Sequence, residues 1–155
     1  MSETRVQLLQ RMAIFGGIRE DILGFLLEVA PVVLVRKNEF FFREGDEGHA
    51  MFVLEAGQAA VLKRWQERDC LLRILAQGDC FGEMALMDLF PRSASVRALE
   101  DCKAIELSTA NLYRLYEKDL EQFAMIEMNM GREVCRRLRE LDEELFRARM
   151  GVPVV

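Results

Sequence analysis

The sequence has few of the side chains from which most catalytic and metal sites are built. Its 155 residues include one histidine, His49, and four cysteines that form no CxxC pair. One imidazole cannot supply the histidine pairs of hydrolytic metal sites, and widely spaced cysteines do not match zinc-binding patterns. We therefore expect a non-enzymatic protein without a metal or cofactor, whose thiols are reduced and buried. These thiols belong to Cys70, Cys80, Cys102 and Cys135.

The sequence also lacks a surplus of positive charge and a long apolar run. Its 21 lysines and arginines are outnumbered by 26 acidic residues, whereas duplex DNA attracts clustered cations. The longest apolar stretch, ILGFLLEVAPVVLV at residues 22–35, is interrupted by Glu28 and Pro31 and is too short to span a bilayer. No signal-peptide pattern precedes it. We expect a cytoplasmic protein that binds neither DNA nor a membrane.

Length and composition predict one globular domain over residues 1–155. Apolar residues make up 51% of the chain and charged residues 30%, which argues against disorder. Helical periodicity predicts N-terminal helices over residues 1–30, with a first helix reaching Phe15 and a second over Arg19 to Glu28. Residues 31–107 consist of short apolar runs separated by turns, which predicts seven or eight strands in a barrel or sandwich. Residues 108–150 return to helical periodicity, including one long helix from Leu120 to Met150.

One segment carries charges that a protein core does not use. GDCFGEMALMDLFPRSASVRA, residues 78–98, places Glu83 and Arg92 in a mostly apolar run that also contains two glycines and Pro91. A short helix after Gly82 exposes backbone amides that suit an anion, and a returning Arg92 adds a bidentate contact to a phosphate. Glu83 then accepts a hydroxyl of a sugar phosphate. The spacing equally allows Glu83 and Arg92 to pair with each other.

The same segment resembles a known family. FGEMALMDLFPRSASV closely resembles the phosphate-binding cassette of cyclic nucleotide-binding domains, and REGDEGHAMFVLEAGQAAVL resembles the strands and turns that precede it. This family includes catabolite activators and the regulatory subunits of protein kinase A. The resemblance covers about Leu8 to Arg149. It implies a mainly β, α+β fold: an eight-stranded antiparallel β-roll, resembling a jelly-roll barrel, with helices at both ends and a cassette at residues 81–96.

The resemblance also implies roles for individual residues. Glu83 is expected to accept the ribose 2′-hydroxyl and Arg92 to pair with the cyclic phosphate, assisted by backbone groups of residues 82–85 and of Ala94. Leu72, Ile74, Phe81 and Met84 are candidates for the wall around the base or for ordinary core. The expected ligand-binding residues are Phe81, Gly82, Glu83, Met84, Ala85, Arg92, Ser93, Ala94 and Ser95.

Ser93 leaves the identity of the base open between adenine and guanine. Family members often have alanine at this position in cAMP sites and threonine in cGMP sites, so serine favours cAMP only slightly. Two departures from the family pattern occur elsewhere. Asn38 replaces a turn glycine, and MDLF at residues 87–90 lacks the glycine that many members carry before the proline. Neither departure removes a charged contact.

The long terminal helix carries an apolar seam that has two interpretations. Its period suits either helix pairing in a homodimer or packing back over the same domain, and it spans barely two heptads. The resemblance makes Leu138 or one arginine of this helix a candidate lid over the purine; the arginines are Arg132, Arg136, Arg137 and Arg139. The seam consists of Val134, Leu138, Leu141, Leu145 and Ala148.

The expected function is therefore reversible binding of a 3′,5′-cyclic purine nucleotide, reported through movement of the terminal helix to a protein effector. No helix-turn-helix pattern follows that helix in the sequence, so we expect no DNA output. The alternative is a protein-interaction module that keeps the fold without binding a nucleotide. Hydrolysis of the nucleotide is not expected, since the sequence offers no group to activate water.

Overall fold

The computed structural model of the protein describes residues 3–151, which form two four-stranded antiparallel sheets with helices at both ends. The sheets have the strand orders β1-β8-β3-β6 and β2-β7-β4-β5. This confirms the predicted eight-stranded β-roll, although the strands form two open sheets and not one closed barrel. The strands are β1 Val32–Val35, β2 Phe40–Phe42, β3 Ala50–Ala56, β4 Ala59–Trp65, β5 Arg68–Leu75, β6 Cys80–Phe81, β7 Ser95–Ala98 and β8 Cys102–Ser108.

Within the described range the sheets are flanked by five α-helices, and capping residues define several of their ends. Thr4 and Ser108 each form a capping box, and Asp119 accepts a hydrogen bond from the amide of Gln122 at the start of the terminal helix. The helices are α1 Arg5–Gln10, α2 Glu20–Val29, α3 Met84–Asp88, α4 Thr109–Lys118 and α5 Leu120–Met150.

The first predicted helix is divided in two. Helix α1 ends at Gln10, and Met12 is extended at φ −90° and ψ 134° before a 3-10 turn over Ala13–Phe15. The break places Ile14 and Phe15 in the core. A single amphipathic helix was therefore the wrong prediction here, because burial of these two side chains overrides local helix propensity.

Two buried clusters hold the fold together. One joins the N-terminal segment, α4 and the first half of α5 to one face of the β1-β8-β3-β6 sheet. The other lies between the two sheets, where Phe52 and Phe81 stack with ring centroids 5.4 Å apart. The second half of α5 lies outside both clusters. This arrangement leaves that half-helix beside the cavity described below.

Two further sequence features can be placed in the structure. The expectation that all four thiols are buried was wrong: Cys102 is buried and Cys80 half-buried, whereas Cys70 and Cys135 are exposed. His49 lies in the loop before β3 and its side chain is exposed, with its Nε2 4.0 Å from a carboxylate oxygen of Glu47. Within residues 3–151 no helix has the combination of length and apolar character needed to cross a membrane.

Candidate functional site

A cavity of about 610 Å³ lies between the β2-β7-β4-β5 sheet, α3 and the second half of α5. Its lining is mainly apolar, with buried charged groups at two points, a composition typical of small-molecule sites. Eight of the nine residues predicted to bind a ligand line it. These are Phe81, Gly82, Glu83, Met84, Ala85, Arg92, Ser93 and Ala94.

The ninth predicted residue, Ser95, does not line the cavity. Its hydroxyl accepts a hydrogen bond from the backbone amide of Glu44 at 2.8 Å. Strand β7 begins at Ser95, and successive side chains of a strand point to opposite faces. Ser95 therefore joins β7 to the segment after β2, which is a structural contact.

Arg92 is the buried cation of the site, with 7% of its surface exposed. Its Nη1 donates to the carbonyl of Gly82 at 2.9 Å and its Nη2 to the carbonyl of Ala50 at 2.7 Å. The guanidinium carbon lies 4.0 Å from the centre of the Phe42 ring. Burial lowers the pKa of Arg92 below its usual value. The side chain is thus fixed in place, with no carboxylate bonded to it in residues 3–151.

Donors of Arg92 remain unused. Its Nε is buried and lacks a hydrogen-bond partner in the described part of the chain. A guanidinium carries five N–H groups, and an unsatisfied buried donor costs about 1–3 kcal/mol. Because Arg92 lines the cavity, an anion that entered the cavity could accept hydrogen bonds from its guanidinium.

Two glycines make room for this arginine. A Cβ atom added at Gly48 would clash with Nε of Arg92, and one added at Gly82 would lie 2.7 Å from its Nη1. Gly82 also has a φ of +80°, which side chains rarely adopt. The glycines of the segment therefore allow the backbone to approach the guanidinium closely.

Glu83 is the buried anion of the site, with 2% of its surface exposed. Its carboxylate accepts a hydrogen bond from Nη1 of Arg137, which lies 54 positions later on α5. Among the contacts of the described residues, no hydrogen bond or ion pair joins Glu83 to Arg92. Mutual pairing of these two residues was one of the alternatives that the sequence left open, and the structure excludes it.

Arg137 connects α5 to the β-roll. Besides Glu83, its Nη2 lies 3.5 Å from the carbonyl of Cys80 in β6, and its Nε lies 3.7 Å from Glu133 of the same helix. The next turns of α5 also face the cavity through Leu141 and Glu144. The sequence named Leu138 and four arginines as lid candidates. Of these, Arg137 lines the cavity, whereas Leu138 does not line it and is 56% exposed.

The apolar wall contains some of the predicted residues and some that the sequence did not indicate. Leu72, Phe81 and Met84 line the cavity, whereas Ile74 lines a separate, smaller one. Phe42 and Phe90 also line it, although no motif singled them out. Phe42 could have been recognised only from the position of Arg92, because its ring supports that guanidinium.

The missing glycine of the cassette corresponds to a strained backbone position. Leu89, which ends α3, has a φ of +60° and a ψ of 15°, in the left-handed region. For a residue with a Cβ atom this conformation costs roughly 1–2 kcal/mol. Leu89 and Phe90 are 74% and 69% exposed, so packing does not offset the strain. The loop keeps the conformation that glycine would favour.

The cavity, its buried cation and its buried anion define a ligand-binding domain on a β-roll. Residues 32–119, more than half of the chain, match the family model described as the cyclic nucleotide-binding domain. The chain belongs to the cyclic nucleotide-binding domain family. This confirms the resemblance on which the sequence-based prediction rested.

The chain is similar to parts of several larger proteins. It is 39% identical over 107 residues to the cAMP-dependent protein kinase regulatory subunit of Emericella nidulans, covering 69% of this chain and 26% of the relative. It is 31% identical over 108 residues to cGMP-dependent protein kinase 2 of Homo sapiens, covering 66% of this chain and 14% of the relative. The crystal structure of Thermus thermophilus catabolite activator protein matches with a TM-score of 0.77 at 28% identity. This match covers 86% of this chain and 61% of the activator chain. The chain spans less than two thirds of each.

Proposed function

We propose that the protein reversibly binds a 3′,5′-cyclic purine nucleotide in the 610 Å³ cavity. The observation that carries the proposal is that a buried guanidinium, Arg92, and a buried carboxylate, Glu83, line the same apolar cavity. The unused donors of Arg92 suit the cyclic phosphate, and the carboxylate of Glu83 suits the ribose 2′-hydroxyl. Family membership supports this assignment.

For the base, we propose adenine ahead of guanine. The hydroxyl of Ser93 at the cavity wall is compatible with a contact to phosphate or to a guanine amino group, so guanine is the competing choice. Leu72, Phe81 and Leu141 offer apolar surface to either purine. We propose binding without catalysis, in a cytoplasmic protein.

The terminal helix is proposed to carry the signal. In residues 3–151, the side chain through which α5 hydrogen-bonds to the β-roll is that of Arg137, and its acceptors are Glu83 and Cys80. A ribose hydroxyl that bonds to Glu83 competes with Arg137 for the same carboxylate. The nucleotide is proposed to replace this link and to draw the exposed half of α5 closed over the bound base, which is a population shift driven by differential affinity.

The partner that receives the signal is proposed to be a protein. Three seam residues of α5, Leu138, Leu141 and Leu145, are 49–60% exposed. Of the two interpretations of the seam, this exposure favours pairing with another helix over packing back onto the roll. A second copy of the chain is one proposed occupant, and an effector protein is the other.

A second candidate function is a protein-interaction module that binds no nucleotide. One observation favours it: both charged groups of the cavity already have partners, Glu83 with Arg137 and Arg92 with two backbone carbonyls. Neither charged group therefore depends on a ligand for its hydrogen bonds to the rest of the chain. The buried, unpartnered Nε of Arg92 favours the nucleotide.

Calorimetric titration separates the two candidates. We expect the purified protein to bind cAMP and cGMP with one site per chain, and cAMP more tightly. The matched ligand is 5′-AMP, which has the same base and sugar but an open, doubly charged phosphate; we expect it to bind more weakly than cAMP. If neither cyclic nucleotide releases or absorbs heat and neither shifts the melting temperature, the interaction module becomes the better assignment.

Hydrogen exchange tests the role of the helix. On addition of cAMP we expect slower amide exchange over residues 134–145, because closure of the exposed half of α5 suppresses local opening. Residues 120–130 are the internal control, since Ile126 and Met130 are already buried and should not change. Protection confined to residues 81–96 would show that the nucleotide binds without engaging the helix.

A further inference from the structure

The segment that joins β2 to β3 holds Arg92 in place from outside the cassette. The amide of Gly45 donates to the carbonyl of Arg92 at 2.8 Å, and the amide of Arg92 donates to the carbonyl of Asp46 at 2.8 Å. The carbonyl of Ala50, the first residue of β3, accepts Nη2 of Arg92 at 2.7 Å. Backbone and side chain of the arginine are therefore both fixed by residues 45–50, to which the proposed function assigns no role.

Gly48 lies in the same segment, against the edge of the guanidinium. It is buried, and a Cβ atom added to it would clash with Nε of Arg92 and would lie 2.9 Å from its Cδ. The φ angle of Gly48 is not positive, so the backbone conformation itself does not require glycine. Gly48 does not line the larger cavity. The lack of a side chain at Gly48 therefore makes room for the guanidinium, and it is not explained by the turn or by direct contact with a ligand.

Phe42 lies against the face of the same guanidinium. The centre of its ring is 4.0 Å from the guanidinium carbon, and a cation is attracted to the face of an aromatic ring. The ring is itself held between the sheets, with its centre 6.0 Å from that of Phe52 and 6.1 Å from that of Phe81. Phe42 thus supports the face of the guanidinium, and Gly48 leaves the space that its edge occupies.

The orientation of this guanidinium matters for an anion. A guanidinium bonds two oxygens of a phosphate only when its planar fork is directed at them. A side chain that is fixed before the ligand arrives also loses less freedom on binding. We infer that Gly48 and Phe42 are positioning residues of the proposed nucleotide site, which hold Arg92 in the orientation that presents its remaining donors to the cyclic phosphate. The inference rests on the proposed function, and it adds to that site two residues outside the cassette at 81–96.

Gly48→Ala tests the inference most directly, because its Cβ atom would displace the guanidinium. We expect the affinity for cAMP, measured by calorimetry, to fall about tenfold to a hundredfold, the range for loss of a hydrogen bond to a charged group. In the Arg92→Ala background the guanidinium is absent, so the added Gly48→Ala should change affinity by less than about twofold. Gly24→Ala is the control for a glycine whose added Cβ meets no atom within 4 Å, and it should leave affinity unchanged.

Phe42→Leu is the second variant, and it keeps an apolar side chain in the cavity wall. We expect the affinity for cAMP to fall about threefold to tenfold, since the cation loses the ring face. Without any ligand, the NMR resonance of the Arg92 Nε–H group should also lose its ring-current shift. Phe40→Leu is the matched control, because Phe40 lies under the guanidinium of Arg43 at 3.9 Å and does not line the cavity. It should move neither the affinity nor the Arg92 resonance.

Two results overturn the inference. If Gly48→Ala and Phe42→Leu both bind cAMP as tightly as the unmodified protein, the phosphate contact does not depend on them. If Gly48→Ala lowers affinity equally with and without Arg92, it acts on the loop and not on the guanidinium. If Gly48→Ala does not fold, the comparison of Phe42→Leu with Phe40→Leu decides.

Failure of the proposed function gives a different result, because the unmodified protein then binds no cyclic nucleotide. Thermal unfolding still tests the positioning role in that case. Gly48→Ala should lower the melting temperature of the unmodified protein and leave that of Arg92→Ala nearly unchanged, since the clash requires the guanidinium. Equal lowering in both proteins overturns the positioning role without any ligand.

Discussion

Arg92→Ala should weaken cyclic nucleotide binding by roughly 2–5 kcal/mol, which is about 30-fold to several thousandfold in Kd. Two effects combine in this loss. The phosphate loses its charged donor, and the Gly82 and Ala50 carbonyls lose the guanidinium that bonds them. Titration calorimetry with cAMP measures the change. Affinity equal to that of the unmodified protein would contradict the assignment of Arg92 to the phosphate.

The chain supplies a matched control for this substitution. Arg43 also places its guanidinium over a phenyl ring, 3.9 Å from the centre of Phe40, but it does not line the cavity. Arg43→Ala should leave affinity within about twofold, because surface changes away from a site have small effects. Arg92→Lys separates charge from geometry, because it keeps a cation and loses the bidentate fork. Its affinity for cAMP should lie between those of Arg92→Ala and the unmodified protein.

Thermal unfolding must accompany these measurements because Arg92 also supports the fold. Truncation removes the guanidinium from the buried carbonyl of Ala50 and the partly buried carbonyl of Gly82, and a buried carbonyl left without a partner costs about 1–3 kcal/mol. A lower melting temperature is therefore expected for Arg92→Ala. Affinity is compared at a temperature where both proteins are folded, so that loss of binding and loss of structure remain distinct.

The sequence predicted the charged groups of the cavity, because both belong to one local motif. Glu83 and Arg92 lie nine positions apart, and a turn, a short helix and a returning loop suffice to bring them to one cavity. The partner of Glu83 depends on long-range packing instead. Four arginines occur within two turns of α5, and only the direction in which α5 crosses the roll selects Arg137.

The details that sequence reasoning missed have the same physical origin. Strand β6 has two residues, too few to show an alternating pattern, and it exists because Phe52 and Val53 of β3 pair with it. The break after α1 follows from burial of Ile14 and Phe15. Phe42 acquires its role from a guanidinium 50 positions away. Each of these features depends on contacts between segments distant in sequence.

Glu83→Gln should weaken binding of cAMP by roughly 1.5–3 kcal/mol, about tenfold to a hundredfold, the range for a hydrogen bond to a charged group. The same substitution should barely affect 2′-deoxy-cAMP, which lacks the hydroxyl that Glu83 is proposed to accept. The two proteins and two ligands form a double-mutant cycle, measured by calorimetry, in which the coupling energy reports the contact itself.

The ion pair with Arg137 gives this experiment its control. Glu83→Gln also breaks the contact that ties α5 to the roll, so an effect through the helix has to be separated from an effect on the ribose. Arg137→Gln breaks the same pair and leaves the carboxylate in place. If the hydroxyl competes with Arg137 for Glu83, Arg137→Gln should bind cAMP at least as tightly as the unmodified protein and keep its preference over the deoxy ligand. Equal losses for both ligands in Glu83→Gln, together with a similar loss in Arg137→Gln, would show that Glu83 acts through the helix and not on the ribose.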